Sequence, residues 1–283
     1  MELFPCFLFL FGVLLIPESP RYLVAKGKLE QATAVFAKIC PGEENAQIVR
    51  VQSSLAAGAG SHKIGLADFF ISGTRKIQPI IWVGIALSVF QQFVGINVVF
   101  YYGAELWQAA GFDESQSLFI NVLAGTTNIV STFIAIALID KVGRRPLLLV
   151  GSFGMVITLA SLAIIFGTAG LDGAGKLMLT DTTGTLALIA ANLFVVFFGI
   201  SWGPVVWVLL GEMFNNRIRG AALAVAASAQ WLANFAITMT FPIMLGSIGL
   251  AGAYGFYAFS ALLSLLFVWR YVSETRGKTL EEM

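Results

Sequence analysis

Long apolar runs divided by short charged connectors dominate this chain, and their lengths predict membrane helices rather than the strips of an ordinary core. Between Gly220 and Arg270 there is no Lys, Arg, Asp or Glu, a run long enough for two crossings of roughly 20 residues with a turn between them. Six apolar segments are predicted, at about 77–104, 116–139, 146–171, 183–211, 219–244 and 252–272. The last two lack a charged connector, and Pro242, Gly246, Gly249, Gly252 and Gly255 supply the break instead. Residues 1–16 form a shorter apolar stretch without the basic start and small-residue cleavage site of a signal peptide; the expectation is the tail end of a membrane helix whose beginning is missing. Residues 17–76 are polar and rich in helix formers. Leu29, Ala32, Val35, Phe36 and Ile39 mark an amphipathic helix. A second helix is predicted over about 43–57, closed by Gly58-Ala59-Gly60-Ser61, and a third over about 65–71, together making a water-facing helical insert.

Composition agrees with this pattern. Hydrophobic residues make up 58% and charged residues 12%, against about a quarter charged in soluble domains. The net charge of +1 argues against a nucleic-acid partner. Cys6 and Cys40 fall in unlike segments, and His62 is the single histidine, in a polar stretch where it reads as a solvated loop residue. That supply is too small for a His/Cys metal cage or a Ser–His or Cys–His catalytic site, so no metal, cofactor or enzymatic activity is expected.

Charge also predicts orientation. If residues 17–76 are cytoplasmic, the connectors at 140–145 and 212–219 and the C-terminal tail share that side, and every Lys and Arg except Lys176 lies there. The opposite connectors hold Glu105, Asp113, Glu114, Asp172 and Asp181, the asymmetry expected of the positive-inside rule.

Several polar side chains interrupt the apolar segments. Gln91, Gln92, Asn97 and Tyr101 occupy one segment, with Gly95 weakening the helix among them; Asn97 and Tyr101 are one turn apart and share a face. Asn128 lies mid-segment beside Thr126 and Thr127. Gly203 and Pro204 should break the segment that carries Trp202 and Trp207, and Gln230, Trp231 and Asn234 lie on the next. One amide would serve as interhelical glue, which averages only about 0.6 kcal/mol in membranes. Three amides and a tyrosine within about three turns fit a ligand site better. Amides donate to and accept from hydroxyls while indole faces cover C–H surface, so neutral groups at this depth suit an uncharged polyhydroxylated solute. Asp140-Lys141…Arg144-Arg145 and Glu212…Arg219 offer complementary charges on one membrane face. They read as solvated loops singly and as a breakable ion-pair cluster together.

The motifs Pro17-Glu18-Ser19-Pro20-Arg21, Gln91-Gln92…Gly95-Ile96-Asn97…Tyr101-Tyr102, Asp140…Gly143-Arg144-Arg145, Gly203-Pro204…Trp207…Glu212 and Glu274-Thr275-Arg276-Gly277 follow one another in this order. With them the chain resembles the sugar porter family of the major facilitator superfamily. The resemblance covers the whole chain but only the second half of the family's fold. It implies an all-α membrane protein in which residues 1–16 end the sixth helix, 17–76 are a cytoplasmic helical insert, 77–273 are helices seven to twelve, and 274–283 are a cytoplasmic tail. It implies transport of a pentose or hexose across the cell membrane by alternating access, as a sugar–proton symporter or uniporter. The alternative is a transport-inactive half that acts only as a membrane interaction partner. Implied sugar contacts are Gln91, Gln92, Asn97, Asn128, Trp207 and Gln230, with Tyr101 and Trp231 supporting or gating. Glu18, Arg21, Asp140, Arg144, Arg145, Glu212, Arg219 and Glu274 match the cytoplasmic gate network. Implied partners are the monosaccharide, the lipid bilayer, a proton as coupling ion and an N-terminal six-helix half. Ser273 stands where the family usually has proline, which affects only the exit from the last helix.

Overall fold

The computed structural model describes residues 3–58, 77–171, 177–214 and 218–276. His62, Lys176, Asp172 and the helix expected over about 65–71 lie outside them. The chain divides into two compact units, Met1–Gly65 and Leu66–Met283.

The first unit holds α1 (Leu3–Leu15), α2 (Pro20–Ala25), α3 (Leu29–Ile39) and α4 (Glu44–Gly58). Pro20 opens α2, where its missing N–H has no intrahelical partner to lose. Leu23, Val24, Ala32, Phe36 and Ile48 form a small core, with Val35 and Val51 packed on it. Of the predicted apolar stripe, Ala32 and Phe36 are buried while Leu29 and Ile39 at the helix ends stay exposed. α1 is apolar yet its side chains from Phe9 to Leu15 are exposed.

The second unit is a helical bundle: α5 (Pro79–Phe93), α6 (Ile96–Tyr101), α7 (Gly103–Ala109), α8 (Glu114–Val142), α9 (Arg144–Thr168), α10 (Asp181–Gly199), α11 (Trp202–Met213) and α12 (Arg219–Tyr271). A two-residue-per-strand hairpin, β1 (Gly170–Leu171) with β2 (Leu177–Met178), follows α9 in antiparallel register; the apolar pattern gave no sign of it. Capping boxes start α8 at Asp113 with Gln116 and α10 at Thr180 with Thr183, so exposed donors at both helix starts are satisfied locally.

Among the described residues, five helical runs are long and apolar enough to cross a membrane. The last, Arg219–Tyr271, has 53 residues and would extend about 80 Å if straight, far more than a hydrocarbon layer of about 30 Å. It is interrupted at Gly249 (φ 68°, ψ −177°), so the two predicted segments meet at one glycine without a loop. Pro242 lies inside the helix rather than ending it.

α12 packs against α9 and α5, α10 fills the space between α9 and α8, and α11 reaches α5, α8, α9 and α10. Trp202, Phe194, Phe214, Phe241, Tyr254 and Tyr257 lie at the centre. Outward-facing Phe119, Val122, Ile129, Phe133 and Ile136 on α8, and Phe153 and Ile157 on α9, are exposed. Water solvates so continuous an apolar surface poorly and hydrocarbon solvates it well. The chain is a multi-pass membrane protein.

Candidate functional site

Two helix interruptions occur where the amides lie. α5 stops at Phe93, and Gly95 (φ 84°, ψ 15°) turns the chain through the left-handed region into α6. A Cβ on Gly95 would sit 2.7 Å from the Tyr257 ring, so backbone angle and packing both call for glycine. Across this break Asn97 Nδ2 donates to Gln92 Oε1. Asn234 Nδ2, from α12, donates to the same oxygen at 3.0 Å. Thr238, one turn beyond Asn234, donates its hydroxyl to Asn234 O, and Tyr102 donates to Thr238 O at 3.2 Å. Two amides, from α6 and α12, thus converge on the buried side-chain oxygen of a third on α5.

The second interruption separates α10 from α11. Ser201 (φ −135°, ψ −88°) is the non-helical residue, and Pro204 sits within the first turn of α11 rather than at the break itself. Gln91 Nε2 donates to Trp202 O (2.8 Å) and Gly203 O (3.3 Å), bracing this turn from α5. The fully buried Trp202 indole donates to Ser152 Oγ on α9 at 2.8 Å. Among the described residues, Gln91 Oε1, Gln230 Oε1, Ser88 Oγ and Tyr257 Oη are buried without a hydrogen-bond partner. Buried oxygens without donors are uncommon, and each is an atom for which a ligand or water can supply the partner.

The predicted residues divide. Gln91, Gln92 and Gln230 are buried (3%, 5% and 8% exposed), and Asn97 is half-buried within the cluster. Asn128 is half-buried on α8 beside Gly199, whose Cβ would lie 3.2 Å from Asn128 Oδ1. Tyr101, Trp207 and Trp231 are instead 54%, 43% and 62% exposed and do not join the amides. Trp231 follows Gln230 by about 100° of helix rotation, so burying one turns the other outward. Tyr101 ends the six-residue α6, and its neighbour Tyr102 makes the inward hydrogen bond. Asn234, named in the sequence but not among the implied sugar contacts, is the amide that joins the cluster from α12. Its place in an uncharged run was the available signal, and Thr275 lies in a quoted motif, whereas Ser152 and Thr238 carry none.

A charged cluster forms where α8, α9, α11 and the segment after α12 meet. Arg144 donates through Nε and Nη2 to the two oxygens of Glu212 (3.0 and 2.6 Å), while Nη1 reaches Ile139 O (3.1 Å) and Asp140 (3.0 Å). Thr275 Oγ1 donates to Glu212 Oε2 at 2.6 Å. The Glu274 carboxylate sits on the N-terminus of α9, accepting from the backbone N–H groups of Arg144, Arg145, Thr275 and Arg276 at 2.9–3.0 Å. Burial disfavours its charge, but those four donors outweigh it and hold the carboxyl below the usual carboxylate range. Gly143 (φ 102°) lets Glu274 approach, since a Cβ there would lie 2.7 Å from Glu274 Oε2. The Arg145 side chain donates to Trp269 O (2.9 Å) and that of Arg219 to Phe214 O (3.3 Å), so these two side chains brace backbone and meet no carboxylate among the described residues. Glu18 and Arg21 belong to the first unit, where both are exposed.

The fold and its buried amide cluster define a polytopic helical membrane protein of the transporter type. The sequence profile described as "Sugar (and other) transporter" matches residues 1–283, and the chain belongs to that family. It is 51% identical over 282 residues to a glucose transport protein of Synechocystis, covering 100% of this chain and 59% of that protein. It is 39% identical over 292 residues to the D-xylose-proton symporter of Escherichia coli, covering 100% and 55%. Among solved structures it is similar to the major facilitator superfamily proton:xylose symporter bound to 6-bromo-6-deoxy-D-glucose. That match has a TM-score of 0.77 at 37% identity, over 99% of this chain and 56% of the other. The inward-open xylose transporter of E. coli matches with a TM-score of 0.68 at 38% identity, over 99% and 54%. The chain spans about half the length of the curated relatives it matches. The expected fold, the C-terminal half of a major facilitator sugar porter, is therefore met. The family is one of transporters, and the chain is not an enzyme.

Proposed function

We propose that this chain forms the solute-holding bundle of a monosaccharide transporter of the cell membrane. It works by alternating access as a sugar–proton symporter or uniporter, rocking against a second six-helix bundle. The observation that carries this reading is the convergence of Asn97 and Asn234 on Gln92 Oε1, beside Gln91 and Gln230, whose buried oxygens lack partners. Gln92 commits its oxygen to the asparagines and offers its NH2 to a ligand; Gln91 and Gln230 offer acceptors. Such a set replaces water around hydroxyl groups and carries no charge that would attract an ion. Asn97 and Asn128 add hydroxyl contacts, and Trp207 packs on the sugar ring with Tyr101 and Trp231 at its margins. The relatives named for glucose and xylose support a pentose or hexose. In this reading the Arg144–Glu212–Glu274 cluster, together with Asp140, Arg145 and Arg219, belongs to a cytoplasmic gate. Residues 17–76 and the C-terminus lie on the same side, as the distribution of Lys and Arg supports.

The test is uptake of radiolabelled D-xylose and D-glucose by the full-length protein in cells without other transporters for them. Saturable uptake is expected, lowered at least about tenfold by combined Gln92→Ala and Gln230→Ala, since lost contacts worth 1.4 kcal/mol already give that factor. Uptake unaffected by the double substitution removes these residues from the site. No uptake of any monosaccharide favours the transport-inactive interaction partner.

A further inference from the structure

The two functions of the Gln91 amide are not equivalent here. Its NH2 faces two backbone carbonyls, Trp202 O at 2.8 Å and Gly203 O at 3.3 Å, both in the first turn of α11. A backbone carbonyl only accepts, so the reversed amide would set three oxygens against one another. Its own oxygen is buried without a partner. Gln92 contrasts with it, because its contacts are other amides, which reverse together.

We propose that α11 locks Gln91 as an obligate acceptor, so the solute must present an O–H donor to Gln91 Oε1. Gln91 is thereby a specificity-determining residue that recognises one hydroxyl by its proton. It also couples occupancy of the site to the α10–α11 break through a single amide. A fluorine at that ring position, which accepts weakly and cannot donate, fails as completely as a hydrogen. This inference rests on the monosaccharide reading above and assigns hydrogen-bond polarity within it.

The polarity is testable with Gln91→Glu. Protonated, the new side chain donates its O–H to Trp202 O and keeps a carbonyl acceptor, reproducing the native pattern. Ionised, it faces two carbonyl oxygens with negative charge, and burial beside them raises its pKa into the range where binding assays are made. The elements packed against α5 carry Tyr101 on α6, Glu212 on α11, and Arg219, Tyr254, Tyr257, Arg270 and Tyr271 on α12 as titratable or charged groups. None hydrogen-bonds to Gln91, and all are present in the native protein, so the ratio of variant to native affinity at each pH cancels them.

Binding of D-xylose and D-glucose to the full-length native protein and to Gln91→Glu is measured at about pH 5 and about pH 9. The variant is expected within about threefold of native at the acidic pH and at least about tenfold weaker at the alkaline pH. A ratio independent of pH, or native affinity in Gln91→Leu, overturns the inference while leaving the monosaccharide reading standing. Failure of the native protein to bind any monosaccharide removes the reading itself. Should Gln91→Glu not fold, the native protein is titrated with fluorodeoxy and deoxy sugars. At least one ring position must show fluorine and hydrogen as equally poor replacements, and a series in which every fluoro sugar binds like its parent overturns the inference.

Discussion

Arg144 grips Glu212 with two nitrogens, Nε and Nη2, at 3.0 and 2.6 Å from the two carboxylate oxygens. The side-by-side geometry is available to a guanidinium and not to an ammonium, and it joins the start of α9 to the end of α11. Only one of the predicted basic residues makes this contact. Arg145 and Arg219, equally charged, turn to carbonyl oxygens instead.

Arg144→Lys therefore does not substitute for arginine. Losing one arm of the pair and the bond to Ile139 O is expected to cost about 1–3 kcal/mol, less than a fully buried pair because the Glu212 side chain keeps 31% of its exposure. Thermal unfolding in detergent reads this directly. A Lys variant as stable as the native protein would mean the fork geometry is immaterial.

Glu274 makes stability depend on pH. Its folded carboxyl is held below the ordinary value of about 4.3, so its contribution is complete above that value and is lost as pH falls through the lower folded one. Glu274→Gln should lower stability at neutral pH by about 1 kcal/mol, the scale for a charge at a helix N-terminus, read as a lower melting temperature. The gap between the two proteins should then narrow as pH falls below the ordinary value and close beneath the lower folded one. A gap that stays constant into acid would assign the effect to shape rather than charge.

Gly95→Ala meets two separate penalties, a positive φ and the Tyr257 ring. Together they are expected to cost about 1–3 kcal/mol. In a Tyr257→Ala background the steric part disappears and only the backbone part, about 1 kcal/mol, remains. Equal costs in both backgrounds would show that the ring yields to the new methyl group.

Gln92→Leu removes the acceptor shared by Asn97 and Asn234 and leaves two amide donors unsatisfied. A loss of about 1–3 kcal/mol is expected, together with loss of monosaccharide binding. Gln92→Glu keeps the acceptor and should restore most of the stability without restoring binding. Equal stability of the Leu and Glu variants would contradict the shared-acceptor role.

By itself the sequence determined the membrane helices, because hydrocarbon selects for length and apolar composition, and both are properties of a linear run. It also showed one place where a helix fails, since Gly95 acts on its own backbone, whereas the break expected at Gly203-Pro204 falls just before them at Ser201; and it named the amides as the polar groups out of place. Tertiary structure alone decided which of them meet. Asn234 reaches Gln92 across 142 positions, and Gln91 turns its NH2 to a carbonyl 111 positions away. Tyr101, Trp207 and Trp231 carry equally suggestive chemistry yet stay exposed and outside the amide cluster, because a helix buries only one side and the packing of α6, α11 and α12 chooses it. Six runs also became five, the last two meeting at Gly249 alone, because a single glycine in an unusual backbone state bends the chain without a loop. Local sequence thus sets what each segment is, and the close fit of segments distant in the chain sets which side chains become partners.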